Sequence, residues 1–130
     1  MAVRSLPFTM SDAFEGLAET YGIAAVENGV IALQFQTKDA IIGAIKSGIK
    51  DVQIPVENLE EISFNKSIWG HKVTMRVNDL ALVQDIPGQS TADLKLSTAR
   101  KDADQAIDFV RAIRLDQSER EYNKARASFG

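Results

Sequence analysis

From about residue 22 to residue 98, apolar and polar positions alternate with period two, the spacing of strands with one buried face. Gly22 to Val26 is apolar and strand-like, with two faces that the pattern does not distinguish. Glu27-Asn28-Gly29 follows, and Asn-Gly tolerates the positive φ of a type I′ hairpin turn. Ile31, Leu33 and Phe35 then alternate with Ala32, Gln34 and Gln36. Residues 39–49 break the rhythm, because Gly43 and Gly48 interrupt an apolar run, and they read as a connection with an irregular strand. Alternation returns at Val52, Ile54 and Val56, where Pro55 marks a strand end or a bulge. It continues at Ile62 and Phe64, at Val73, Met75 and Val77, and at Leu94 and Leu96. Leu80 and Leu82 fit a short strand, and Ile86-Pro87-Gly88 a turn.

The period then changes. Ala106, Ile107, Val110 and Ile113 have helical spacing. Asp102 with Gln105 three positions on predicts an N-cap of the capping-box kind. Asp104 and Asp108 near the start, with Arg111 and Arg114 later, match the helix dipole. The helix is expected over about 102–115, with the polar tail 116–130 either continuing it or fraying. Phe14 and Leu17, after Ser11-Asp12, suggest a short helical turn near the start. The expected architecture is a single domain over 1–130, mainly β with a C-terminal helix. Its small antiparallel β-barrel, of about seven strands over about 20–98, is capped by one amphipathic helix. One polar face on nearly every strand argues against a parallel sheet covered on both sides.

This order of elements is that of the pleckstrin-homology (PH) superfold. Ile54-Pro55-Val56, Leu59, Ile62, then Trp69-Gly70 and Val73-Thr74-Met75-Arg76-Val77 resemble bacterial PH-like domains, in which an Ile-Pro strand leads into a hairpin with an aromatic-Gly tip. Leu94-Lys95-Leu96 followed by a charged helix extends the resemblance over about residues 20–115. It implies a scaffold that usually binds proteins or lipids and rarely catalyses. Phosphoinositide-binding members carry lysines and arginines around the first hairpin, which this reading places at the acidic Glu27-Asn28-Gly29. The usual tryptophan of the C-terminal helix is also missing, leaving Phe109 as the only aromatic in its core-facing stretch. Inositol phosphate recognition therefore does not carry over.

Composition narrows the partners. With no cysteine among 130 residues, there is no disulfide framework or thiolate chemistry, which fits a reducing compartment. Residues 1–7 lack the apolar stretch of a secretory signal, and no run approaches the ~20 apolar residues that span a bilayer. The expected address is cytoplasmic, without a transmembrane segment. A net charge of −3 and a pI of about 5.1 disfavour nucleic acid as a partner.

Little in the sequence suggests catalysis. His71 is the sole histidine and has no Cys or carboxylate neighbours for a metal site, so it reads as a surface residue. Asp102, Asp104 and Asp108 read as helix-start electrostatics rather than a cation site. Glu60 and Glu61 are adjacent on an expected strand and point to opposite faces, so they form no acid/base pair, and Glu57 reads as solvated. Gly43 and Gly48 fit no phosphate loop. The chain is expected to be a non-enzymatic binding or adaptor module without a cofactor, engaging a protein partner or a second copy of itself.

Two segments are candidates for that contact. In the first, Ile68 and Trp69 sit in a turn between Lys66 and Lys72, and tryptophan is enriched at interaction hot spots. The second holds Ile41, Ile42 and Lys46. The rival readings are that Trp69 folds back over the barrel mouth and that the isoleucines plug its end. A different function would be peripheral binding of anionic lipid through Lys46, Lys50, Lys66 and Lys72. Another would be a small-molecule carrier or an enzyme with no recognisable motif.

Overall fold

The protein was analysed as a computed structural model, which describes residues 4–10, 18–39, 49–68, 70–86, 89 and 91–129. Seven strands and one long helix follow one another: β1 (Arg4–Met10), β2 (Ala18–Glu27), β3 (Val30–Asp39), β4 (Lys50–Pro55), β5 (Leu59–Asn65), β6 (His71–Val77), β7 (Asp93–Thr98) and α1 (Ala103–Phe129). The expected mainly-β fold with a C-terminal helix is what the chain adopts. Asn28 and Gly29 have φ of 51° and 77°, so β2 and β3 meet in a two-residue turn of the type I′ hand.

The strands form one antiparallel sheet in the order β4-β3-β2-β1-β7-β6-β5. Each strand pairs with its neighbour in sequence except across β4 and β5, while β1 pairs with β7 at Thr9↔Ser97. The sheet therefore curls without closing, and β4 and β5 are its two edges. Alternate residues of all seven strands turn to one side: Leu6 and Phe8, Ala24 and Val26, Ile31, Leu33 and Phe35, Val52 and Ile54, Leu59 and Ile62, Val73, Met75 and Val77, Leu94 and Leu96 are buried there. Helix residues Ala106, Phe109, Val110 and Ile113, spaced i, i+3, i+4, i+7, complete the same core.

Several elements differ from the sequence expectation. β1 lies before residue 20, where the pattern places the start of the barrel, and becomes an interior strand. The 80–82 stretch is a single 3₁₀ turn, not a strand, because the Asp79 carboxylate caps it by accepting from the Ala81 N–H at 3.0 Å. The loop around it still serves the core, burying Val83 and Ile86. The Asn28-Gly29 turn is consequently the second hairpin rather than the first. The expected helical turn at Phe14 and Leu17 and most of the 39–49 connection lie outside the described residues.

α1 runs from Ala103 to Phe129, so of the two alternatives for residues 116–130 the helix continues. It packs against β1, β2, β5 and β6, and its later turns lie beside the 56–60 segment. Gln105 does not reach back to form a capping box. Its amide donates to the Ser5 carbonyl on β1 at 2.9 Å, and the Asp102 N–H is already bonded to the Ala99 carbonyl at 3.0 Å. Arg114 donates to the Ile62 carbonyl at 2.9 Å and Gln117 to the Leu59 carbonyl at 3.2 Å, so helix side chains occupy part of the β5 edge. No helix among the described residues is long and apolar enough to cross a membrane.

Candidate functional site

In the turn between β5 and β6, two hydrogen bonds tie Ser67 to Gly70. The Gly70 N–H donates to the Ser67 carbonyl at 3.2 Å, and the Ser67 hydroxyl donates to the Gly70 carbonyl at 2.7 Å. Gly70 has φ of 134°, a backbone conformation that residues with a Cβ rarely adopt. From just past the end of the neighbouring strand β7, whose Thr98 pairs with His71, Arg100 Nη2 in the 3₁₀ turn that leads into α1 donates to the Ile68 carbonyl at 2.6 Å. Ile68 nevertheless projects into solvent, 78% exposed. Lys66 and Lys72 flank it, both exposed. A cleft of about 340 Å³ opens beside it, lined by Lys66, Ser67, Ile68, His71 and Arg100.

Of the residues singled out in the sequence, Ile68 is placed on this tip, while Trp69, Ile41, Ile42 and Lys46 lie outside the described residues. His71 is not a simple surface residue. It is half-buried, its ring stands edge-on to Phe64 with centroids 5.6 Å apart, and its buried Nδ1 has no hydrogen-bond partner among the described residues. Arg100 is the member that sequence reasoning missed, since it stands 32 residues from its partner in the turn and no local pattern announces such a contact.

A second surface lies on the outer face of β2 and β3. Ile23 and Ile49 are 51% and 71% exposed there, beside Tyr21, around a depression of about 270 Å³. Tyr21 donates its hydroxyl to Gln36 Oε1 at 3.0 Å, and Lys38 Nζ sits 5.1 Å from the ring centroid. Strand β2 carries apolar residues on both faces, which is why its outer face was not legible.

A groove of about 630 Å³ runs between the 56–60 segment and the later turns of α1. Its walls mix Glu57, Glu60 and Glu121 with Arg120 and Lys124. Arg120 is bonded to Asp116, which with its charge raises the Arg120 pKa above the usual guanidinium value. Arg76 is raised likewise by its hydrogen bond to Asp93 at 2.9 Å and by the charges of Asp93 and Glu61. Both pairs are exposed and contribute little to stability. A bulge between Leu59 and Glu61 breaks the expected alternation, so Glu60 and Glu61 are both exposed and not on opposite faces: Glu61 meets Arg76 at 3.6 Å, Glu60 lines the groove, and the charges of both act on Arg76. No group of His, Cys, Asp and Glu suited to a metal ion occurs among the described residues, Asp102, Asp104 and Asp108 included.

No family model matches this chain, and neither a curated protein nor a solved structure matches it.

Proposed function

We propose that this chain is a cytoplasmic, non-enzymatic binding or adaptor module of PH-like fold, which engages a protein partner or a second copy of itself through the β5–β6 tip. One observation carries the reading: Ile68 is presented 78% exposed on a turn whose backbone is fixed by Ser67, Gly70 and Arg100. An apolar side chain on a hydrogen-bonded backbone leaves less backbone to order on binding, and that favours contact energy over ordering cost. Two antiparallel meanders, β1 to β4 and β5 to β7, joined by β1 meeting β7 and followed by one helix, support the PH-like part of the proposal. Trp69, next to Ile68 in sequence, supplies the residue type that interfaces favour.

The test is a comparison of wild type and Ile68→Asp as baits in the native cell extract, together with sedimentation of each over a range of concentrations. Ile68→Asp is expected to lose the specific partner or the self-association while melting within about 0.5 kcal/mol of wild type, as an exposed substitution should. Unchanged association in the variant would contradict the proposal.

A further inference from the structure

The cleft beside Ile68 is locally basic on a protein whose net charge is −3. Lys66 and Arg100 both line it, and no carboxylate stands among its described lining residues. Arg100 commits one guanidinium nitrogen to the Ile68 carbonyl, and its other donors have no partner among the described residues. Lys66 is exposed and likewise without a described partner. His71 lines the same cleft. Two cationic side chains on one recess, next to an exposed apolar side chain, suit a carboxylate whose carbon neighbours rest on apolar surface.

We infer that this cleft receives an acidic side chain of the protein partner, so that the partner presents an acidic segment to Lys66 and Arg100 while apolar atoms beside it meet Ile68. The inference rests on the reading of the β5–β6 tip as an interaction surface and names the chemistry of what docks there. A protruding side chain fits a recess better than a flat anionic bilayer does. Asp104 and Asp108 are exposed on the first turns of α1, which begins three residues after Arg100, and a bilayer of like sign would repel them.

His71 is the only histidine, so its imidazole signals need no assignment. The full chain, labelled with ¹⁵N, is titrated at constant ionic strength with an oligoglutamate peptide and, separately, with oligoglutamine. A saturable shift of the His71 signals is expected with oligoglutamate and not with oligoglutamine. Lys66→Gln and Arg100→Gln should each weaken that binding by about tenfold, the loss of one charge-assisted hydrogen bond. Lys124→Gln, at the far end of α1, should leave it unchanged. Lys66→Gln keeps the test decisive if Arg100→Gln loosens the turn. The inference is overturned by no saturable shift, by unchanged affinity in Lys66→Gln, or by a shift that phosphatidylserine vesicles produce and the peptide does not. Peptide binding that depends on Lys66, combined with normal partner association in Ile68→Asp, would keep the cleft and remove the tip reading. The reverse combination would keep the tip and remove the cleft.

Discussion

Gly22 shows how much of a fold can hang on one missing side chain. It faces Phe35 across the β2–β3 ladder, and a Cβ there would collide with the Gln34 carbonyl oxygen and come within 2.8 Å of the Phe35 Cα. Both obstacles are backbone, so neither can move aside cheaply. Gly22→Ala gains ~0.4–1 kcal/mol from a less flexible unfolded chain. Forcing a methyl into packed backbone costs about 1–3 kcal/mol, and this term should win. Urea denaturation is expected to show a net loss with an unchanged m-value; a variant as stable as wild type would mean the two strands separate more easily than their packing implies. The sequence offered this glycine only as part of an ambiguous apolar run. Residue-scale roles that depend on a neighbour in the chain were legible, such as the positive-φ Asn28-Gly29 turn, whereas the bulge that leaves both Glu60 and Glu61 exposed was not. Roles that depend on distant partners were not: Arg100 on the Ile68 carbonyl and Gln105 on the Ser5 carbonyl leave no mark in local pattern.

Elements were legible where one face is apolar and the other polar. Strands β3 to β7 follow from alternation because the curled sheet buries only one of their faces. β1 escaped because Pro7 stands in its middle and reads as a strand breaker; the strand forms regardless, meeting β7 at Thr9, past that proline. Leu6 and Phe8 on either side of Pro7 were the available signal, and both are buried. In α1, Ala106, Phe109, Val110 and Ile113 form the buried stripe, whereas Ile107 is only half-buried at its margin. The helix persists to Phe129 on its own composition, with the Asp116–Arg120 pair and Arg126 stacked over Tyr122 at 5.7 Å on its exposed half. If its first half belongs to the core, Val110→Asp buries an unpaired carboxylate. The cost should be several kcal/mol, comparable with the whole stability of a small domain. Thermal melting of that variant is expected to show a collapse of the transition toward low temperature. A melt like that of wild type would mean α1 is not docked as described.

At the scale of the whole molecule, the pairing of β1 with β7 joins the beginning of the sheet to its end and leaves only β4 and β5 as edges. The relocated first hairpin does not revive phosphoinositide recognition: residues 11–17, between β1 and β2, contain Asp12 and Glu15 and neither lysine nor arginine. Among the described residues, the β5–β6 tip presents exposed Ile68 with Lys66, Lys72 and Arg100 close by in the chain or the cleft, on a molecule of net charge −3. The central claim is that this tip is where a partner or a second copy docks, and Trp69 is the direct reporter because it is the only tryptophan. The measurement is its emission maximum and acrylamide quenching, first in dilute monomer and then with rising protein concentration or added partner. The account predicts a red-shifted, readily quenched indole in the monomer that turns blue-shifted and protected as the complex forms. A blue-shifted, unquenchable indole already present in the dilute monomer would contradict it, because Trp69 would then belong to the core and not to an interface.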